Sequence, residues 1–158
     1  MIAVIFIPVQ TSLEEYVFRG YLMQGLGVMF NNKWLPLILT SFSFGFLHFY
    51  NPEIMKLGSI LLVHYVATGL FLGILTLMDD GMELALGFHA GNNLLIALIV
   101  TADWTVFQTT SIFKYIGEPN VINQSLFSLS IIYPILLFYF SRKYNWTNWK
   151  GKLTGKVK

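Results

Sequence analysis

The side chains in this sequence best equipped for chemistry are Glu14, Glu15, Arg19, His48, His64, His89, Asn92 and Asn93, and almost everything around them is apolar. Glu14 and Glu15 are adjacent, with the apolar run Met1–Val9 upstream and Gly20-Tyr21-Leu22-Met23 downstream. On one helix, Glu15 and Arg19 stand four residues apart and share a face, where they form a structural ion pair. Glu14 is turned away by about 100°. It has no cation of its own nearby in sequence, so it is either carried as the neutral acid or held as a base in a hydrated pocket.

Ionisable groups in apolar helices are costly and by default face a bundle interior or a wet cavity. His89 and Asn93 lie at i and i+4, so both point at the same spot. Taken singly, each of these residues has a plain reading: His48 as an interfacial residue, His89 and Asn93 as interhelical hydrogen bonding, His64 as packing. Taken together, a free carboxylate, two histidines and an asparagine on three segments form a different inventory. A carboxylate serves as a general base, and imidazole or carboxamide N–H groups donate to a tetrahedral oxyanion. No Ser, Cys or Thr stands in an evident nucleophile motif, so attack by water is the simpler chemistry.

The elements that must position these residues read as membrane helices. The chain has 158 residues, 55% hydrophobic and 11% charged, with a mean hydropathy of +0.62. Soluble domains carry about 25% charged residues. The expected fold is all-α, a polytopic transmembrane bundle of about five segments: roughly 2–30 with a possible kink at Pro8, then 34–50, 57–78, 82–101 and 123–141. Residues 102–122 read as a loop with an interfacial stretch. No internal repeat or domain boundary is evident, so residues 1–141 form one membrane-embedded domain, followed by a basic tail at 142–158.

Arg142, Lys143, Lys150, Lys152, Lys156 and Lys158 all fall in that tail, and a basic flank after an apolar run marks the cytoplasmic side. Nucleic acid is the weaker reading of these charges, because Trp146 and Trp149 suit a membrane interface. The start lacks the basic region and small-residue cleavage site of a removable signal peptide. The absence of cysteine excludes disulfide and thiolate chemistry. Counted from the turns, Glu14 and His48 have similar depth, while His89 is about 10 Å shallower at ~1.5 Å per residue. The three meet if the 30–34 turn projects beyond the 79–82 turn.

Three short motifs carry a family resemblance. Glu14-Glu15-Tyr16-Val17-Phe18-Arg19 resembles the E-E-x-x-x-R motif of the CAAX prenyl protease and bacteriocin-processing (CPBP) intramembrane proteases, the superfamily of type II CAAX prenyl endopeptidases. Phe44-Gly45-Phe46-Leu47-His48 resembles their F-x-x-x-H, and His89-Ala90-Gly91-Asn92-Asn93 their H-x-x-x-N. Each is weak alone; three in order on apolar helices are specific.

The resemblance implies an intramembrane endopeptidase in which Glu14 and His48 activate water. His89 and Asn93 then stabilise the oxyanion, and Glu15 and Arg19 support the first motif. It leaves open a metal-free mechanism, which the absence of H-E-x-x-H favours, or zinc held by Glu14, His48 and His89. The implied partners are the lipid bilayer and a peptide or protein substrate at the membrane, prenylated or bacteriocin-like, with no nucleic acid. Relatives generally carry further helices before the first motif, and about a dozen residues precede it here. The competing reading is a non-proteolytic membrane protein, for binding, immunity or scaffolding, that uses the same polar cluster. A lower one is a metal- or haem-binding protein using His48, His64 and His89.

Overall fold

The computed structural model describes residues 2–117 and 127–157 and is mostly helical. The first segment is a continuous rod built from α1 (Ile2–Glu15), a wide π-helical stretch (Tyr16–Leu22) and α2 (Met23–Phe30). Pro8 lies inside α1, and the helix continues through it. The buried positions along this rod include Ile7, Thr11, Glu15, Arg19, Met23 and Gly27, a strict repeat of four. In a helix of 3.6 residues per turn, each such step advances about 40°, so the ends of the stripe would drift onto opposite faces. The wider i→i+5 turns between Tyr16 and Leu22 hold more residues per turn and absorb that drift. One face of the rod therefore stays against the bundle along its whole length.

Asn31, in the left-handed region at φ 50°, ends α2. Asparagine tolerates that conformation better than most residues. The next residue, Asn32, accepts the backbone N–H of Leu35 through Oδ1 at 2.8 Å and so opens α3 (Trp34–Leu47). A single 3-10 turn (His48–Tyr50) closes that segment. A short helix not expected from the sequence, α4 (Pro52–Leu57), follows with proline in its first turn. Then come α5 (Ile60–Asp79) and α6 (Glu83–Ile99), joined by a tight turn at Asp80.

The connection expected as a loop contains a minimal parallel bridge, β1 (Val100–Thr101) with β2 (Phe113–Lys114). Residues 118–126, which include the start of the expected fifth segment, lie outside the described residues. That segment then runs through a second π-helical stretch (Ser128–Ile132) into α7 (Tyr133–Lys143).

The basic C-terminal stretch contains a further helix, α8 (Trp149–Thr154), which packs on α5 and α3. Trp146 is only 8% exposed and sits in an apolar cluster with Phe71, Leu72, Leu75, Met78 and Ala85, instead of at an interface. Its indole N–H donates to Asp79. Lys152 pairs with Asp80, and the Lys33 amide donates to the Gly155 carbonyl. The α2–α3 turn, the α5–α6 turn and the C-terminal segment are thus gathered at one end of the bundle.

By length and composition, α5 is the one helix among the described residues long and apolar enough to cross a membrane. Trp34–Tyr50 and Glu83–Ile99 are apolar but shorter. The rod has its polarity inverted relative to a soluble helix: Thr11, Glu15 and Arg19 are buried, whereas Phe6, Val9 and Leu13 are each more than 60% exposed. Such apolar outward faces suit a lipid environment.

Contact between α3 and α5 is the most extensive in the bundle, and glycines permit it. A Cβ on Gly45 would lie 2.9 Å from the Val66 backbone nitrogen, and one on Gly69 would lie 3.1 Å from the Ser41 Cα. Backbone cannot give way as a flexible side chain does. Gly45→Ala is therefore expected to destabilise the protein by about 1–3 kcal/mol, seen as a lower melting temperature in detergent. Gly87→Ala, with nothing within 4 Å of the added methyl, is expected to be neutral or stabilising by up to about 1 kcal/mol.

Candidate active site

The site is built around the carboxylate of Glu15, which is fully buried. Its Oε1 accepts from Arg19 Nη1 at 2.9 Å and from His89 Nδ1 at 2.7 Å. The first bond is the i,i+4 pair expected from sequence; the second reaches across to α6 and was not. Arg19, 1% exposed, also donates through Nη2 to the Gly69 carbonyl of α5 at 2.9 Å, and its guanidinium lies 4.8 Å from the centre of the Phe44 ring. Three helices are therefore tied to the rod through one charge pair. Glu15 Oε2 and Arg19 Nε have no partner among the described residues.

Because the paired carboxylate is an acceptor, the His89 Nδ1 carries the proton it donates to Glu15. That directs Nε2 toward Glu14, whose Oε2 is 3.8 Å away. Glu14 takes its own donor from one turn earlier, where Gln10 Nε2 donates to Oε1 at 3.2 Å. The i,i+4 spacing of Gln10 and Glu14 is the local signal for this contact.

His48 caps the end of α3. Its Nδ1–H donates to the Phe44 carbonyl at 2.8 Å, which leaves Nε2 as the accepting nitrogen. The ring stacks on Tyr65 with centroids 4.3 Å apart, and the Tyr65 hydroxyl accepts from Asn51 at 3.2 Å. Tyr65 and Asn51 carry no motif, and only the tertiary packing of α5 against α3 reveals them. The Asn92 amide donates to Asn93 Oδ1 at 3.2 Å, which turns the Asn93 oxygen toward its neighbour.

Glu14, His48, His89 and Asn93 all line one cavity of about 600 Å³. The expected mismatch in depth does not keep the segments apart: Glu15 and His89 are in direct hydrogen-bond contact although they lie at different distances from their turns. His64 also lines the cavity, with its Nδ1 buried and without a partner, among the described residues. No group of three His, Asp or Glu side chains among the described residues is arranged to hold a metal ion. Glu14, His48 and His89 share the cavity without forming a ready three-ligand set.

The family model for type II CAAX prenyl endopeptidase Rce1-like proteins matches residues 1–95, which contain all three motifs. The chain belongs to this family. Its members are integral membrane proteins, and the family is one of CAAX proteases. The chain is also similar to the uncharacterized protein YyaK of Bacillus subtilis (strain 168), at 30% identity over 130 residues. That match covers 82% of this chain and 43% of the relative, so this chain spans less than half of the longer protein. No solved structure matches significantly.

The geometry distinguishes the two adjacent glutamates by what their loss leaves behind. Glu15→Ala strands the Arg19 guanidinium in the core and removes the acceptor of His89. Breaking a buried pair in this way costs about 3–5 kcal/mol, so thermal denaturation in detergent should show a large loss of stability. Glu14→Ala removes a cavity-lining group held by one Gln10 contact and should leave the melting temperature nearly unchanged.

Proposed function

We propose that the chain works within the membrane, as part of a polytopic helical bundle, and hydrolyses a peptide bond by direct attack of water. The observation that carries this reading is the convergence of Glu14, His48, His89 and Asn93, from three separate helices, on one cavity behind the Glu15–Arg19 pair. In this reading Glu14, assisted by His48 Nε2, takes a proton from the attacking water as its oxygen bonds to the carbonyl carbon. The carbonyl π electrons move onto oxygen, which Asn93 and His89 stabilise. Glu14 then passes the proton to the departing amine nitrogen as the C–N bond breaks.

The Nδ1 bond to Glu15 at 2.7 Å holds the His89 ring in place beside the cavity. A fixed donor at an oxyanion contributes about 10²–10³ in kcat.

In this reading the mechanism is metal-free, and the substrate is a peptide or protein segment at the membrane, prenylated or bacteriocin-like. The basic C-terminal stretch lies on the cytoplasmic side. The inverted polarity of the first rod supports the membrane setting, because its ion pair faces the bundle and its apolar residues face outward.

Purified protein assayed by mass spectrometry against prenylated CAAX peptides and bacteriocin-precursor peptides tests this. Cleavage by the parent chain should be abolished in both Glu14→Ala and His48→Ala, with melting temperatures retained, and should persist in excess chelator. No cleavage by the parent, or cleavage retained in both variants, would contradict the endopeptidase reading. Loss in chelator that zinc restores would contradict the metal-free step.

A further inference from the structure

Four buried side-chain polar atoms have no hydrogen-bond partner among the described residues. Glu15 Oε2 and Arg19 Nε belong to the charge cluster behind the site. Glu53 Oε2 and His64 Nδ1 do not: both residues line the cavity, one from α4 and one from α5, and neither belongs to the proposed catalytic set. Burying a polar atom without a partner is costly. Each is therefore a place where an occupant of the cavity gains a bond that the described residues leave unmade.

The two atoms differ in what they select. A histidine ring nitrogen donates or accepts according to its tautomer, so His64 sets no charge preference, whereas a carboxylate oxygen only accepts. Glu53 is also held in place. Its Oε1 accepts the Val106 backbone N–H at 2.7 Å, which fastens the β1–β2 loop to α4 and keeps the carboxylate on the cavity wall. Glu14 lines the same cavity, and none of the described lining residues is Lys or Arg. Lys56, three residues along α4, is exposed and leaves Glu53 Oε2 without a partner. A cleft lined by carboxylates with low-dielectric walls draws in positive charge. Leu57 and Leu61 of the same cavity offer apolar cover for the methylene stem of a long basic side chain, and Trp104 offers an aromatic face.

We infer that Glu53 is a specificity-determining residue, and that it takes the ammonium or guanidinium of a Lys or Arg side chain carried by the peptide, apart from the bond that Glu14 faces. The identity of the occupant as a substrate rests on the endopeptidase reading; the preference for a cation does not. A prenylated peptide and a bacteriocin-like one meet this requirement equally, provided that a basic residue lies within reach of the cleaved bond.

Dansylated farnesyl-CAAX and bacteriocin-precursor peptides, each made in three series with Lys, Gln or Glu scanned through every position, test this. Binding is read by fluorescence titration of the purified protein in a nonionic detergent, and cleavage of the same peptides by mass spectrometry. The parent is expected to bind its best lysine peptide about 10–100-fold more tightly than the glutamine counterpart, the range of a hydrogen bond to a charged group. Glu53→Gln should remove that difference with its melting temperature retained, and Glu53→Lys should favour the glutamate series. A parent that does not favour the lysine series would overturn the inference without recourse to any variant. So would a lysine preference that survives in Glu53→Gln, which keeps Glu14. Binding that depends on Glu53, with no cleavage of any peptide, would sink the endopeptidase reading and leave the cation subsite standing. Cleavage that Glu14→Ala abolishes but that is indifferent to lysine would do the reverse.

Discussion

Everything in the site depends on how the buried Glu15 carboxylate is shared. Its Oε1 accepts from both Arg19 and His89, and Arg19 extends the connection to the α5 backbone at Gly69. An isolated charge at this depth is prohibitively costly, so the arrangement is cooperative: removing any member leaves another uncompensated. That makes the cluster a strong constraint on register. Sliding α6 or α5 by one residue along the rod would separate His89 from Glu15 or Arg19 from its carbonyl. The same constraint fixes the tautomer of His89 and aims its second nitrogen at Glu14.

The rest of the bundle serves to keep that pair buried. A stripe of buried positions spaced four residues apart runs from Ile7 to Gly27, and the π-helical stretch beginning at Tyr16 keeps it on one face. The widened turn therefore falls where the charged pair must face inward. Glycines at 45 and 69 bring α3 and α5 together closely enough to place Phe44 over the guanidinium and His48 beside Tyr65. At the far end, the C-terminal segment contacts both the α2–α3 turn and the α5–α6 turn.

The main outline was legible in the sequence because the bilayer-like composition makes each polar residue conspicuous. The long segments, the i,i+4 relation of Glu15 to Arg19, and the three motifs that later met at one cavity were all readable from residue type and spacing. What escaped was tertiary. The Glu15–His89 bond spans distant segments and obeys no local spacing, and Tyr65 gives no signal until α5 is packed on α3. Gln10 was readable as an i,i+4 partner of Glu14 but lacked a reason to be singled out. Trp146 and the C-terminal helix were misplaced for a physical reason: Trp and Lys are ambiguous at a membrane surface, where they serve equally as interface anchors and as a packed cap. The short helix after Pro52 escaped because Asn-Pro reads first as a stop.

The central claim is that Glu15 is the fixed structural centre and Glu14 the group facing the reacting bond. An experimental structure of the Glu14→Gln variant with a bound peptide tests it most directly. The account predicts an intact Glu15–Arg19–His89 cluster, with the scissile carbonyl carbon within one water of residue 14 and His48 and its oxygen toward Asn93 and His89. A peptide bound outside the cavity, or one whose carbonyl approaches Glu15 with the cluster opened, would contradict it.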